Sequence, residues 1–191
     1  MPCHGASENR HGTTAGRPNL KTLYLYRHAK SSWKDPTLAD TERPLNGRGR
    51  RAAKSMAAYM AKHRLVPDII VCSSARRTRE TLGMVRDALL GGDIPTRVDD
   101  ALYTASAADL LRQVHYLDDG LASAMIVGHN PGLQDLALRL TGGGKPEPRN
   151  RMRSKFPTAA LAVLTCPGRK WRAMKPDGAT LKAFVCPRDL D

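Results

Sequence analysis

Short apolar runs alternate with segments of helical periodicity along most of this chain. The apolar runs have the length and composition of buried strands and lie at residues 22–26, 68–72 and 124–127. The intervening segments carry apolar residues three and four positions apart and predict helices that begin at Asn46, at Ser73 or Ser74, at Ser106 and at Asn130-Pro131. Because strands and helices alternate, the pattern predicts an α/β fold of three layers, in which a central, largely parallel β-sheet is flanked by helices.

Both ends of the chain depart from this alternation. Residues 1–19 are polar, show no periodicity and predict a disordered N-terminal extension without a secretion signal. Residues 142–157 are rich in Gly, Pro and Arg and predict a long loop. Further short extended pieces are expected at 97–98 and 101–103, and strands at 158–165, 170–174 and 180–185 are expected to form a final meander. We expect one domain over residues 20–191.

The apolar runs and the cysteine spacing indicate in which cellular compartment the protein resides. No apolar run approaches the roughly 20 residues that span a bilayer, so no membrane span is expected. The four cysteines lie far apart and form no CxxC pair, which argues against a disulfide framework or a zinc site. We therefore expect a cytoplasmic protein with reduced thiols.

The net charge of +13 favours an anionic partner, which could be phosphate, an acidic protein or nucleic acid. A basic nucleic-acid-binding module is the alternative from another functional class. The sequence has no zinc finger, no aromatic signature of an RNA-recognition motif and no GXXG loop, so charge alone suggests that alternative.

Histidines and arginines follow three of the predicted strands. The predicted strand at 22–26 leads into Arg27-His28, the strand at 68–72 into residues 73–77, and the strand at 124–127 into residues 128–131. Since ligands of open α/β sheets bind beyond the carboxyl ends of the strands, these side chains should meet at one edge. A neutral imidazole can attack phosphorus, and arginine forks bind phosphate oxygens. The pattern predicts phosphoryl transfer without a metal, because no carboxylate cluster with metal-ligand spacing accompanies the histidines.

These residues resemble a known family. The segment Leu25-Tyr26-Arg27-His28-Ala29 is similar to the RHG motif of the histidine phosphatase superfamily, and more closely to its SixA-like branch of phosphohistidine phosphatases. The segments DTERPLNGRG at 40–49, CSSARRTRET at 72–81 and VGHNPG at 127–132 recur in that order in the branch. Ala29 departs from the glycine of much of the superfamily and requires a backbone conformation allowed to an L-residue.

The resemblance implies a phosphoglycerate mutase-like fold and a phosphatase without a cofactor. It implies that His28 becomes a covalent phosphohistidine, with Arg27, Arg77 and His129 around the phosphoryl group. Arg77 matches the Ser-x-x-x-Arg pattern of the family, and Arg76 is the alternative. His28 must be neutral to attack, whereas a phosphate contact would favour protonated His129.

Other residues are expected to complete the site. Asn130 and Ser31 are candidates for substrate binding. An alkoxide leaving group needs a proton, for which the candidates are Asp35, Asp40 and Glu42, although each could instead be solvated or paired with an arginine. A phosphohistidine substrate weakens this need, because imidazole departs far more readily than an alkoxide.

The leading hypothesis is a monomeric phosphatase that acts on phosphohistidine in a protein, either a phosphocarrier or a histidine phosphotransfer domain. The nearest alternative is a phosphomonoesterase of the same superfamily for a small metabolite. The basic stretch at 145–155 is interpreted as a solvated loop; the alternative is a docking patch for an acidic protein or a phosphorylated ligand.

Overall fold

A computed structural model describes residues 20–89 and 94–190 of this chain. The predicted extension at residues 1–19 and the predicted helix end at Gly91-Gly92 lie outside the described residues. No helix within the described ranges is long and apolar enough to cross a membrane.

Within the described residues, seven strands form one mixed sheet with the order β3-β2-β4-β1-β6-β7-β5. The strands are β1 Leu20–Arg27, β2 Ile69–Ser73, β3 Thr96–Asp99, β4 Ser123–Gly128, β5 Thr141–Gly144, β6 Leu161–Pro167 and β7 Ala179–Val185. Strand β6 runs antiparallel to its neighbours β1 and β7, and the other four pairings are parallel. The parallel half holds β1, β2 and β4 side by side, so their carboxyl ends share one edge, as the sequence predicts.

In the part of the chain that the structure describes, five α-helices flank the sheet and form two separate cores with it. They are α1 Gly47–Lys62, α2 Arg76–Ala88, α3 Ala107–His115, α4 Gly132–Leu140 and α5 Pro146–Ser154. Alternate residues of β1 point to opposite faces: Tyr24 and Tyr26 pack with α1 and α2, whereas Leu23 and Leu25 pack with α3, α4 and α5. These two cores produce the predicted three layers.

Helix α1 shows how closely a sequence signal can locate a boundary. The Asn46 side chain accepts a hydrogen bond from the Gly49 amide at 2.8 Å, which satisfies one of the free amides of the first turn. Helix α3 likewise begins after Ser106, which forms a capping box with Asp109. Both predicted starts are confirmed.

Two predicted helix starts were slightly wrong. Helix α2 begins after Ala75 without a side-chain cap, because Ser73 is the last residue of β2 and its hydroxyl lies beside His129. Helix α4 begins at Gly132, with Pro131 in the cap position rather than the first turn.

The prediction of a loop at 142–157 was also wrong, because these residues include most of β5 and all of α5. Strand β5 has the sequence TGGG, in which only Thr141 carries a β-forming side chain. Helix α5 buries a single residue, Met152, so neither element produces a hydrophobic period that the sequence could show.

Two of the predicted extended pieces are 3₁₀-helices instead. They lie at Trp171–Ala173, where a strand was expected, and at Asp100–Leu102. Each single turn buries one large side chain, Trp171 or Leu102, and a lone buried residue cannot distinguish a turn from a strand. The predicted extended piece at 97–98 is confirmed, because it forms part of β3.

Candidate active site

His28 lies directly after β1, and only 8% of the residue is exposed. Its backbone amide donates to the Gly128 carbonyl at 3.1 Å, which ties the end of β1 to the end of β4. Ring atom Nδ1 lies 2.7 Å from the Ala29 carbonyl oxygen, an acceptor, so Nδ1 carries the hydrogen and Nε2 has the free lone pair. Burial lowers the pKa of His28 to about 3, and His129 and two arginines add to this effect. The imidazole is therefore neutral at neutral pH, which is the form that a nucleophilic role would require.

His129 follows β4, and its ring centroid lies 5.0 Å from that of His28. Its Nε2 lies 2.8 Å from Ser73 Oγ, and Arg77 Nη2 approaches its Nδ1 at 3.4 Å. Because a guanidinium only donates, Nδ1 accepts and the Nε2–H group donates to Ser73. Burial and then the charge of Arg77 lower the pKa of His129 to about 4. Its expected protonated form is therefore disfavoured in the free site and would need the phosphate charge to stabilise it.

Arg77 projects from the first turn of α2 and is 7% exposed. Its Nη1 donates to the Asp40 carbonyl at 2.6 Å, and its Nη2 lies 2.9 Å from Asp40 Oδ2. Arg76 is exposed and instead pairs with Glu80 at 2.8 Å. The two side chains diverge because successive helical residues point about 100° apart. The structure thus places Arg77, not Arg76, beside the histidines.

Arg27 ends β1 and lines the same cavity as His28. Its Nη1 donates to the Phe156 carbonyl at 2.6 Å, whereas its buried Nε has no hydrogen-bond partner among the described residues. Burial lowers the pKa of the guanidinium, but an arginine stays charged at any relevant pH.

Asn130 does not present its amide hydrogens to a ligand. Its Nδ2 donates to Gln134 Oε1 at 3.0 Å and to the Phe156 carbonyl at 3.2 Å. Both hydrogens are therefore used within the protein, and the expected role of Asn130 as a phosphate donor is not supported by this geometry. The sequence pattern indicated the position but could not show these partners.

Ser31 is buried in the cavity wall and forms an isolated β-bridge with Leu45. Its Oγ accepts from Arg43 Nη2 at 3.0 Å. Arg43 is a site residue that our sequence reasoning missed, although it lies within the DTERPLNGRG segment. Its guanidinium also stacks on Trp33 in the loop after His28, with its central carbon 3.0 Å from the ring centroid.

Asp40 is poorly suited to act as a general acid. Its carboxylate accepts from the Tyr103 hydroxyl and pairs with Arg43 at 2.6 Å and with Arg77 at 2.9 Å. The Tyr103 hydrogen bond and then the charges of the two arginines hold the pKa of Asp40 below its ordinary value. The carboxylate is ionised at neutral pH and orients the arginines.

The other two candidate acids lie away from the cavity lining. Asp35 is exposed, and its Oδ1 accepts from both the amide and the hydroxyl of Thr37, which lowers the pKa of Asp35. Glu42 is exposed on a 3₁₀-helix, Asp40–Glu42. Neither arrangement is that of a proton donor beside His28.

Close packing supports the backbone after His28. The Ala29 amide donates to Thr81 Oγ1 at 3.0 Å, and Ala29 is not among the described residues with positive φ, so its replacement of glycine introduces no strain. A Cβ on Gly49 would lie 2.1 Å from the Lys30 carbonyl oxygen. Helix α1 can therefore press against this loop only with glycine at position 49.

Comparisons with known proteins agree with this geometry. Residues 23–110 match the model of the histidine phosphatase superfamily (branch 1). An uncharacterized protein of Mycobacterium tuberculosis strain H37Rv is 34% identical over 164 residues, which cover 85% of this chain and 99% of that protein. The candidate phosphohistidine phosphatase SixA of Agrobacterium tumefaciens is 30% identical, with 87% of this chain and 99% of that chain covered and a TM-score of 0.72.

The chain belongs to the histidine phosphatase superfamily. A protein histidine phosphatase SixA complexed with tungstate shares the fold at 21% identity, a TM-score of 0.72 and coverage of 89% of this chain and 99% of that one. The fold is thus phosphoglycerate mutase-like, as predicted, and family membership supports phosphatase activity.

The cavity of this histidine phosphatase has a volume of about 990 Å³ and is strongly cationic. Its described lining includes one carboxylate, Asp40, and eight basic side chains: Arg27, Lys30, Arg43, Arg48, Arg77, Arg151, Lys155 and Arg188. Part of the stretch at 145–155 therefore lines the cavity, which corrects its interpretation as a solvated loop. Among the described residues, no group of three or more His, Cys, Asp or Glu side chains is placed to hold a metal.

Proposed function

We propose that this histidine phosphatase hydrolyses phosphohistidine in a protein substrate through a covalent phosphohistidine on His28. The observation that carries the proposal is the fixed tautomer of His28. The Ala29 carbonyl holds Nδ1–H at 2.7 Å, so a neutral Nε2 is available among the cationic side chains of the cavity. This arrangement suits nucleophilic attack on an anionic phosphorus centre.

The reaction proceeds in two displacements. His28 Nε2 attacks phosphorus while the P–N bond of the substrate breaks and its electron pair leaves with the substrate imidazole. Arg27 and Arg77 donate to the equatorial oxygens of the phosphoryl group and stabilise its charge in the transition state. Water then attacks phosphorus, the Nε2–P bond breaks, its electrons return to His28, and inorganic phosphate is released.

The site favours a leaving group that needs no enzyme acid. Asp40 is ionised and paired, and neither Asp35 nor Glu42 lines the cavity. A phosphohistidine ring that is protonated on its other nitrogen departs as neutral imidazole, whose conjugate acid has a pKa near ~6.5, whereas an alkoxide must be protonated. Phosphoramidate hydrolysis is therefore the reaction that these side chains support best.

The mouth of the cavity supports a protein as the substrate. Lys30, Arg48, Lys155 and Arg188 are exposed along the lining and project from four different segments of the chain. Trp33 lines the cavity as well and is 76% exposed. An exposed aromatic side chain among cations is suited to an acidic protein surface that surrounds a phosphohistidine.

Rapid quench with a ³²P-labelled histidine phosphotransfer domain tests the chemistry. The wild-type enzyme should accumulate acid-labile, base-stable phosphate on His28, and His28→Ala should show neither phosphoenzyme nor turnover. His63→Ala is the matched control, because His63 is exposed at the end of α1. Full activity of His28→Ala would refute the covalent mechanism.

A substrate panel tests the specificity. The same enzyme is offered the phosphorylated domain, sugar phosphates and nucleotide monophosphates. We expect the domain to be preferred, and expect Arg48→Glu to raise KM for the domain without affecting free phosphohistidine, since Arg48 would contact only the protein surface. Rapid hydrolysis of a sugar phosphate with the phosphorylated domain untouched would instead identify a phosphomonoesterase for a small metabolite.

A further inference from the structure

Arg27 is held on one side by a single backbone oxygen. Its Nη1 donates to the Phe156 carbonyl at 2.6 Å, and its buried Nε has no partner among the described residues. Phe156 lies in the segment between α5 and β6, outside the parallel part of the sheet. The direction in which Arg27 presents its free N–H groups therefore depends on where this segment places the Phe156 carbonyl.

The Phe156 carbonyl is itself fixed from helix α4. Asn130 Nδ2 donates to it at 3.2 Å and also donates to Gln134 Oε1 at 3.0 Å. The two side chains are four residues apart and meet on one face of the turn that opens α4. The Phe156 carbonyl oxygen thus accepts one hydrogen bond from Arg27 at the end of β1 and another from Asn130 in the segment after β4.

Gln134 extends the same network to helix α5. Its Nε2 donates to the carbonyls of Met152 and Arg153, both at 3.1 Å. These carbonyls belong to the last turn of α5, where backbone oxygens lack partners within the helix. The Gln134 amide therefore anchors the end of α5 just before the segment that carries the Phe156 carbonyl.

We infer that Gln134 is a positioning residue, which acts through Asn130 and the Phe156 carbonyl to orient Arg27 toward the phosphoryl group. The inference rests on the proposed function for the contact between Arg27 and phosphate. A glutamine whose only task was to cap α5 would affect stability, but its loss would not act through Arg27. The two roles therefore differ in how mutations at positions 134 and 27 combine.

A double-mutant cycle separates these roles. Gln134→Leu removes the amide while retaining most of its volume, and we expect it to lower kcat/KM for the phosphorylated domain about tenfold, since small displacements of binding groups are costly. In an Arg27→Met background the same substitution should change kcat/KM less than about twofold. Gln113→Leu, which alters the other described glutamine and its bond to Arg97, is the control and should leave activity unchanged.

Equal losses from Gln134→Leu in both backgrounds would overturn the inference. If Gln134→Leu does not fold, Gln134→Glu keeps the acceptor for Asn130 and is tested in the same cycle. As a second readout, calorimetry measures the affinity for inorganic phosphate of the four proteins of the cycle, which are the wild type, the two single variants and the double variant. If Gln134→Leu weakens phosphate binding only when Arg27 is present, the positioning role is supported even if no phosphorylated substrate is hydrolysed. Failure of the proposed function is therefore distinguishable from failure of this inference.

Discussion

Acidification should destabilise this protein through buried His28 and half-buried His129. Burial is the main cause that lowers the pKa of His28 to about 3 and that of His129 to about 4, against an ordinary value of 6.5. As the pH falls through 6.5, the unfolded imidazoles bind protons while the folded ones stay neutral. The unfolded state then holds more protons, so the stability that is present above pH 6.5 is lost progressively as the pH falls toward the folded values.

The size of this loss follows from the two shifts. Between pH 7 and pH 5, an unfolded histidine gains most of a proton, whereas folded His28 gains almost none. At ~1.4 kcal/mol for each pKa unit, His28 accounts for a loss of about 2 kcal/mol in the free energy of unfolding over this interval. His129 should contribute a loss of similar size, at about 2 kcal/mol.

Urea unfolding at pH 7 and pH 5 measures the effect. His28→Asn removes one of the two groups, so its loss of stability between these pH values should be about 2 kcal/mol smaller than that of the wild-type protein. His63→Asn, which removes an exposed imidazole at the end of α1, should retain the wild-type loss. Identical pH dependence in His28→Asn and the wild-type protein would refute a buried neutral imidazole at position 28.

Three further substitutions test the architecture of the site. Asp40→Asn should lower kcat about fivefold to tenfold for every leaving group, since it loosens the paired arginines. In kinetics with a series of leaving groups, a loss restricted to alkyl phosphates would instead identify Asp40 as the general acid. Ser73→Ala should lower kcat/KM about tenfold in steady-state assays because it releases Nε2 of His129, and unchanged kinetics would contradict this. Gly49→Ala should lower the free energy of unfolding, measured in urea, by about 2 kcal/mol or more. The control is Gly83→Ala, whose Cβ would have no neighbour within 4 Å and which should raise the free energy of unfolding by up to about 1 kcal/mol. Equal effects of the two substitutions would argue against the close contact at Gly49.

The outline of the site could be predicted because it depends on periodicity and topology. Each of β1, β2 and β4 has a short buried run that is visible in the sequence, and parallel neighbours must end at the same edge. This reasoning predicted that His28 and His129 would meet arginines at one edge, and the family resemblance then selected Arg77 over Arg76. The roles of these residues in catalysis stay predictions until the variants are tested.

The sequence could not predict partners that come from elements without a hydrophobic period. Helix α5 and β5 were missed, and with them the segment whose Phe156 carbonyl holds Arg27. Asn130 was expected to bind phosphate because the sequence could not show that its amide hydrogens are used by Gln134 and Phe156. Side-chain partners distant in sequence depend on packing, which local patterns do not encode.

The sequence by itself determined the alternation of strands and helices, the edge at which the chemistry lies and the residue types available there. These properties follow from apolar spacing and from the rule that parallel strands share a direction. Only the tertiary structure decided the tautomers of His28 and His129, the ionised state of Asp40 and the cationic cavity that α5 helps to line. Protonation and orientation depend on burial and on the distance between charged groups, and both are fixed only when remote segments pack together.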